Sequence, residues 1–174
     1  MKKVIFLDFD GVLNTSRYQS LLYSAGKKRY DTYGHLFDPE AVSNLRFVLD
    51  AVPEAILVIN SSWKLEGLVR MKKMWSMRGL PGKIHSFTPD YVPDLLSIDL
   101  DNESNIEMLS GKGNEVAKWI EIYAQEGCDY VIFDDMPYFL PEQEQHLILT
   151  NPEVGITLED ARRAIDILSQ GGPN

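Results

Sequence analysis

The sequence predicts an α/β protein in which helices cover both faces of a mainly parallel sheet of five strands. Short apolar runs alternate with amphipathic segments, as in chains that wind strands and helices in turn. The first run, Val4–Leu7, is continuously apolar, which is typical of a strand buried on both faces. With 174 residues, 44% of them hydrophobic and 25% charged, the chain suits one globular domain. We therefore expect a doubly wound α/β/α domain in three layers over residues 1–174.

The remaining elements follow in order along the chain. Polar residues without sustained periodicity fill residues 14–38, and we predict a flap there, because long connections in compact domains are usually functional. Further strands are predicted at Ala55–Ile59, Lys83–Phe87, Tyr130–Phe133 and His146–Leu149. Helices are predicted from Pro39 to the residues before Pro53, over Lys64–Arg78 and Asn114–Gln125, and after Thr157. Residues 88–111 are predicted to be loop, and residues 171–174 to be a tail.

The net charge of −9 is unevenly distributed. Residues 1–84 hold 13 basic and 8 acidic residues, a net charge of +5, whereas residues 85–174 hold 4 and 18, a net charge of −14. The total argues against general nucleic-acid binding. The basic half can steer an anionic substrate, although ordinary solvated helix faces would give the same counts.

Secretory and membrane classes are not indicated. No apolar run approaches the roughly 20 residues that span a bilayer. The apolar stretch near the N-terminus is short and followed by acids, unlike a signal peptide. The single cysteine, Cys128, excludes an internal disulfide. We therefore expect a cytoplasmic protein without a membrane partner.

Carboxylates and hydroxyls follow three of the predicted strands. They are Asp8 and Asp10 after the first, Ser61 and Ser62 after the second, and Asp134 and Asp135 after the fourth. Parallel strands present their carboxyl ends at one edge of a sheet, so these side chains are expected to converge. Oxygen ligands without histidine or cysteine suit Mg²⁺. Gly11 allows a sharp turn beside the site, and Lys112, just before a helix, can reach the same edge.

These motifs resemble the haloacid dehalogenase (HAD) superfamily of Mg²⁺-dependent phosphohydrolases, in order and over nearly the whole chain. The four matching motifs are Asp8-Phe9-Asp10-Gly11, Ser61, Lys112 and Asp134-Asp135. The details DGVLN, NSSWK and Gly155-Ile156-Thr157 resemble a subgroup related to domains of "Swiss army knife" RNA-repair proteins.

The resemblance implies roles for these residues. Asp8 is expected to attack phosphorus and carry an aspartyl-phosphate, while Asp10 protonates the leaving oxygen and then activates water. An acid two residues after the nucleophile accompanies phosphatases and phosphomutases in this superfamily. The implied Mg²⁺ ligands are the Asp8 carboxylate, the Asp10 main-chain carbonyl, Asp134 and, through water, Asp135.

The phosphoryl group is expected to contact Ser61 and Lys112, with Gly11 beside it. Ser62 is an alternative to Ser61, because the end of the strand is uncertain by a residue or two. Lys118 is the weaker rival of Lys112, since it lies a turn and a half inside its helix. Trp63 and Trp119 are interpreted as core residues, and the histidines show no ligand spacing.

Neither insertion site holds a full cap domain, which predicts an open active site and suits large phosphorylated substrates without excluding small ones. A nucleic-acid end or a small molecule remain alternatives, and the basic segment 64–78 is either a nucleic-acid contact or a solvated helix. A phosphatase is the expected activity. A phosphotransferase and a phosphate-binding module without turnover are the rivals, and the sequence does not indicate the oligomeric state.

Overall fold

The computed structural model describes residues 1–92 and 111–169. The strands are β1 Lys2–Leu7, β2 Tyr30–Asp31, β3 Gly34–His35, β4 Ile56–Ile59, β5 Ile84–Phe87, β6 Cys128–Asp134 and β7 Leu147–Leu149. The α-helices are α1 Ser16–Ser24, α2 Pro39–Ala51, α3 Leu68–Met77, α4 Lys112–Tyr123 and α5 Leu158–Ser169. Two 3₁₀ helices cover Ser62–Glu66 and Pro141–His146. None of the helices in these ranges is long and apolar enough to cross a membrane.

Five strands form one sheet in the order β5-β4-β1-β6-β7, and every neighbouring pair is parallel. The predicted α/β fold with a five-stranded parallel sheet is therefore confirmed. Strand β1 is central, since it pairs with β4 on one side and with β6 on the other. The order changes direction at β1, so its carboxyl end lies at the crevice where open α/β sheets bind ligands.

The alternation of side chains along β1 divides the core between the two faces of the sheet. Ile5 and Leu7 belong to the larger cluster, which α2, α3 and α5 cover. Val4 and Phe6 belong to the smaller cluster beneath α4. There the fully buried Trp119 contacts Phe6 edge to face, with ring centroids 5.4 Å apart, so its interpretation as a core residue is confirmed.

The segment 14–38 has more regular structure than the sequence predicts. It contains α1, capped by the side chain of Thr15, and a two-stranded antiparallel sheet of β2 and β3. The helical pattern is weak because Leu22 is the one buried residue in α1. Sequence periodicity detects a helix through its buried face, and this face is a single residue wide.

Other predicted boundaries were wrong. The helix predicted over Asn114–Gln125 is α4, Lys112–Tyr123, so Lys112 is its first residue instead of preceding it. The helix predicted over 64–78 is a 3₁₀ helix followed by α3, because Gly67 has a φ of +85° and breaks the helical path. His146 ends a 3₁₀ helix and does not begin β7. Most of the predicted loop 88–111 and the predicted tail 171–174 lie outside the described residues.

Candidate active site

Asp8, Lys112 and Asp134 meet at the carboxyl edge of the sheet. Asp8 follows β1 directly and Asp134 ends the neighbouring β6, so the pairing of these strands brings their carboxylates together. The Lys112 Nζ lies 2.5 Å from Asp8 Oδ2 and 2.6 Å from Asp134 Oδ2. Both carboxylates are buried, with Asp134 fully enclosed and Asp8 6% exposed. The lysine ammonium therefore bridges two carboxylates that would otherwise repel each other.

The enclosed position of this group shifts two pKa values. Burial, followed by the nearby charge of Asp8, raises the pKa of Asp134 to about 6. For Lys112, burial opposes the charged form, but the carboxylates of Asp8 and Asp134 outweigh it and raise the pKa. Lys112 is thus held as a cation between two acids.

Two main-chain amides fix the orientation of the buried carboxylates. The N–H of Phe9 donates to Asp8 Oδ1 over 2.7 Å, and the N–H of Met136 donates to Asp134 Oδ1 over 2.9 Å. In each residue the other oxygen, Oδ2, faces Lys112. Charge-assisted bonds of this kind hold a carboxylate in one rotamer.

Asp135 completes a cluster of three carboxylates, in which ligand oxygens of Asp8, Asp134 and Asp135 all lie within 4.8 Å of one another. Burial and the charge of Asp8 raise the pKa of Asp135. Oxygen donors of this kind, gathered at a strand edge without nitrogen or sulfur ligands, fit Mg²⁺. The residues present therefore suit the metal that the sequence predicts.

Gly11 leaves the space in which the Asp135 carboxylate lies. Its φ of +71° is in the left-handed region, and a β-carbon there would overlap the Asp135 side chain. The Gly11 N–H donates to Asn14 O over 2.8 Å, and its carbonyl accepts from Thr150 Oγ1 over 2.8 Å. Gly11 thus leaves space for Asp135, and its N–H is bonded within the protein; its predicted place beside the phosphoryl group stays a prediction.

The predicted hydroxyl motif lies just beyond β4. Ser61 is buried and its Oγ accepts a long hydrogen bond of 3.4 Å from Trp63 N, whereas Ser62 is exposed. Asn60 precedes them, and its N–H donates to the carbonyl of Leu7 beside Asp8. The Nδ2 of Asn60 is buried and has no hydrogen-bond partner among the described residues, which leaves a donor for a bound oxygen.

Asp10 is exposed and held by two donors that sequence reasoning missed. Asn14 Nδ2 donates to one carboxylate oxygen over 2.7 Å, and Trp63 Nε1 donates to the other over 2.9 Å. The Trp63 ring also packs against Phe9 and Phe37, as its interpretation as a core residue requires. Its indole N–H nevertheless has a polar partner, the Asp10 carboxylate. The sequence could have indicated this contact, because Trp63 lies two residues after Ser61, at the same edge of the sheet as the site.

The cations predicted along segment 64–78 are mostly paired. Lys64 Nζ lies 2.8 Å from Glu115 and 2.9 Å from Asp90. The other two pairs are Arg70 with Glu66 and Arg78 with Asp31. Lys72 and Lys73 are exposed cations of α3 that form no ion pair with the described residues, so the unpaired charge that this segment offers to a ligand is smaller than the sequence suggests. Lys118, the rival of Lys112, pairs with Glu121 on the helix surface.

Comparison with known families adds to this geometry. The family model of the HAD domain in Swiss Army Knife RNA repair proteins matches residues 4–161, nearly the whole chain. The chain belongs to this family. No curated protein and no solved structure matches it.

The contacts of the late motif Gly155-Ile156-Thr157 show what it does in this fold. Gly155 has a φ of +66°, and a β-carbon there would overlap the carbonyl of Val12. The Ile156 N–H donates to that same carbonyl over 3.0 Å. Thr157 then caps α5, since its Oγ1 accepts from the N–H of Asp160 over 3.2 Å. The motif therefore fastens the loop that follows Asp10 to the start of the last helix.

Proposed function

We propose that this HAD domain is a Mg²⁺-dependent phosphatase that hydrolyses a phosphate monoester through an aspartyl-phosphate on Asp8. The observation that carries the proposal is the meeting of Asp8, Lys112 and Asp134 at one strand edge, with Asp135 beside them. Asp10, two residues after Asp8, supplies the second carboxylate that two-step phosphoryl transfer needs. A module that only binds phosphate does not need both acids.

In the first step, Asp8 attacks phosphorus and the bond between phosphorus and the leaving oxygen breaks. Asp10 gives its proton to that oxygen, so the product leaves as an alcohol. In the second step, water attacks phosphorus while Asp10 accepts a proton from it, and the Asp8 carboxylate is released with inorganic phosphate. A difficult displacement is thereby divided into two easier ones.

The other residues bind and neutralise charge. Lys112 contacts the nucleophile and is therefore placed to offset negative charge on the phosphoryl oxygens. Ser61, or Ser62 in its place, is proposed to donate to the same oxygens. Mg²⁺, when bound by Asp8, Asp134 and the Asp10 main-chain carbonyl, and by Asp135 through water, would neutralise these acids and polarise the phosphoryl group.

The substrate is a phosphorylated small molecule or the end of a nucleic acid. The family is named for RNA repair proteins, which favours the nucleic-acid end as one candidate. The open site that the sequence predicts, without a full cap domain, would admit it. A phosphotransferase would use the same residues with an acceptor other than water.

The proposal is tested with purified protein, Mg²⁺ and an aryl phosphate, followed by phosphorylated metabolites, nucleotides and 5′- and 3′-phosphorylated oligonucleotides. Asp8→Asn is expected to reduce hydrolysis to background, because the amide neither attacks phosphorus nor balances the metal. Asp10→Asn is expected to lower turnover by roughly 10²–10⁴ and spare Mg²⁺ binding. Retention of a tenth of the wild-type rate in folded Asp8→Asn would exclude Asp8 as the nucleophile.

A further inference from the structure

An open surface cavity of about 470 Å³, to which several polar side chains contribute, lies beside Asp10, on the side where Asn14 holds one of its carboxylate oxygens. The cavity begins at Gly11 and Asn14 and continues along α1 to Arg29. Its volume is within the range of small-molecule sites. It adjoins the catalytic edge, because Gly11 is in contact range of Asp135 and Asn14 is bonded to Asp10.

The position of Asp10 indicates which part of a substrate would enter this cavity. In the proposed mechanism Asp10 protonates the leaving oxygen, so the leaving group must pass close to its carboxylate. Trp63 donates to the other carboxylate oxygen, Oδ2, and its bulky ring occupies that side. The cavity lies on the Asn14 side, and it therefore offers space for the leaving group.

The lining of the cavity suits a leaving group with several hydroxyls. Side-chain hydroxyls and amides come from the whole length of α1 and from the residue before its cap; they are Asn14, Ser16, Gln19, Ser20 and Ser24. Gln19 is anchored, since its Nε2 donates to Asn14 Oδ1 over 2.9 Å and to Leu36 O over 2.8 Å. Helix α1 and Asn14 thus present polar side chains, of which Asn14 and Gln19 are held in place by hydrogen bonds.

Arg29 adds an unused positive charge to that wall. Its guanidinium lies over the ring of Tyr23, 5.3 Å from the ring centroid, and this guanidinium makes no ion pair or hydrogen bond with the described residues, whereas the Arg29 carbonyl accepts from the N–H of Leu36. The other arginine of this segment, Arg17, is paired with Glu40 over 2.7 Å. A half-buried guanidinium that is held on an aromatic ring and lacks a carboxylate partner is suited to bind an anionic ligand.

We propose that this cavity binds the leaving group of the substrate, and that the leaving group is polyhydroxylated and carries a second anionic group, which Arg29 recognises. The inference rests on the proposed phosphatase function and specifies its substrate as a bisphosphate or a similar doubly anionic ester. A nucleotide and a sugar bisphosphate share this chemistry.

The test compares two matched pairs of substrates: glucose 1,6-bisphosphate with glucose 1-phosphate, and adenosine 3′,5′-bisphosphate with adenosine 5′-monophosphate. Phenyl phosphate serves as a substrate without a second charge. In the wild-type protein, kcat/KM for at least one bisphosphate is expected to exceed that of its partner about tenfold or more, the usual effect of a charge-assisted hydrogen bond.

Arg29→Gln is expected to remove this preference while hydrolysis of phenyl phosphate stays within about twofold of wild type. Lys28→Gln is the matched control, because Lys28 is exposed, adjacent and absent from the cavity wall, so it should leave the preference unchanged. Ser20→Trp, which fills the cavity from the exposed side of α1, should raise KM for the bisphosphates alone.

Equal kcat/KM values of the wild-type protein for both members of each pair would overturn the inference. An equal change in kcat/KM for all substrates in Arg29→Gln would also overturn it. If phenyl phosphate is hydrolysed in that case, the proposed function stands and the leaving-group site alone fails. If no ester is hydrolysed, the proposed function fails. Calorimetric titration of the same pairs into wild type and Arg29→Gln then tests binding in the cavity separately. Tighter binding of a bisphosphate than of its partner by wild type, lost in the variant, supports the proposed site. Equal affinities for both members of each pair in wild type exclude it.

Discussion

At the scale of single residues, hydrogen bonds hold each carboxylate of the site in one orientation. The buried Asp8 and Asp134 each have one oxygen fixed by a main-chain N–H and the other by Lys112. Asp10 is exposed, and its two oxygens are instead held by the side chains of Asn14 and Trp63. Main-chain amides and Lys112 orient the first pair, and the side chains of Asn14 and Trp63 orient Asp10.

Trp63 is therefore expected to act as a positioning residue for Asp10. Trp63→Phe keeps the aromatic contacts with Phe9 and Phe37 but loses the N–H that Asp10 accepts. We expect kcat to fall roughly tenfold, the scale of a hydrogen bond to a charged group, with KM little changed.

The matched control for that variant is Trp75→Phe. Trp75 also contacts Phe9, but its indole N–H donates to the carbonyl of Pro81, away from the carboxylates. The control should lower the melting temperature without the tenfold loss of kcat. If both variants lower kcat alike, or if Trp63→Phe changes stability alone, Trp63 has only a packing role.

At the scale of elements, the hairpin of β2 and β3 is attached to the end of α3. Arg78 binds the Asp31 carboxylate through two nitrogens, at 2.7 and 3.0 Å, and also donates to the carbonyls of Gly34 and His35. The Trp63 ring lies against Gly34, where a β-carbon would come within 2.8 Å of it. The hairpin thus covers the tryptophan that holds Asp10.

Arg78→Gln is expected to loosen this hairpin. A bidentate pair near the surface is worth about 1 kcal/mol, so cleavage at the exposed Lys27 and Lys28 by a lysine-specific protease should become roughly fivefold faster. Lys73→Gln, on the exposed face of α3, is the control and should leave the rate unchanged. An unchanged rate in Arg78→Gln would show that the ion pair does not hold the hairpin.

The ion pair of Arg78 and Asp31 is also expected to make the stability of the protein depend on pH. The hydrogen bond from Arg78 lowers the pKa of Asp31, so the pair contributes stability above the ordinary carboxyl pKa of about 4 and loses it as the pH falls through the lower folded value. The difference in melting temperature between wild type and Arg78→Gln should therefore shrink below about pH 4. A difference that grows on acidification would contradict this assignment.

Sequence patterns predicted the helices and strands that bury many side chains. They did not predict the elements that bury one residue or none. The continuous apolar run of β1 and the capping sequence of α2 predicted their elements closely, because each pattern reflects packing against the core. Helix α1 buries one residue, and β2 is fully exposed, so neither leaves a periodic signal. The site shows the same contrast. Strand ends predicted the convergence of Asp8 and Asp134, whereas the bonds to Asp10 depend on how distant segments pack.

At the scale of the whole molecule, the parallel sheet places carboxylates from two strands at one edge, where their mutual repulsion opposes folding unless cations neutralise it. Mg²⁺ should therefore stabilise the folded protein. At 100 times its Kd, the metal adds about 2.7 kcal/mol, which corresponds to a rise in melting temperature of roughly 5–10 °C for a chain of this size.

That rise is measured by thermal unfolding with and without MgCl₂. Asp134→Asn should abolish it, because the variant removes a ligand from the cluster, whereas Asp129→Asn, on the same strand but outside the cluster, should retain it. A similar rise in the Asp134→Asn protein would place the metal elsewhere on the molecule.

The central claim is that Asp8 becomes phosphorylated during turnover. It is tested most directly by mixing the protein with Mg²⁺ and an aryl phosphate, quenching in acid, and determining by mass spectrometry which residue carries a phosphoryl group. We expect the group on Asp8 in the wild-type protein, increased occupancy in Asp10→Asn because hydrolysis of the intermediate is slowed, and no adduct in Asp8→Asn. Turnover without any adduct on Asp8, in wild type and in Asp10→Asn alike, would contradict the account.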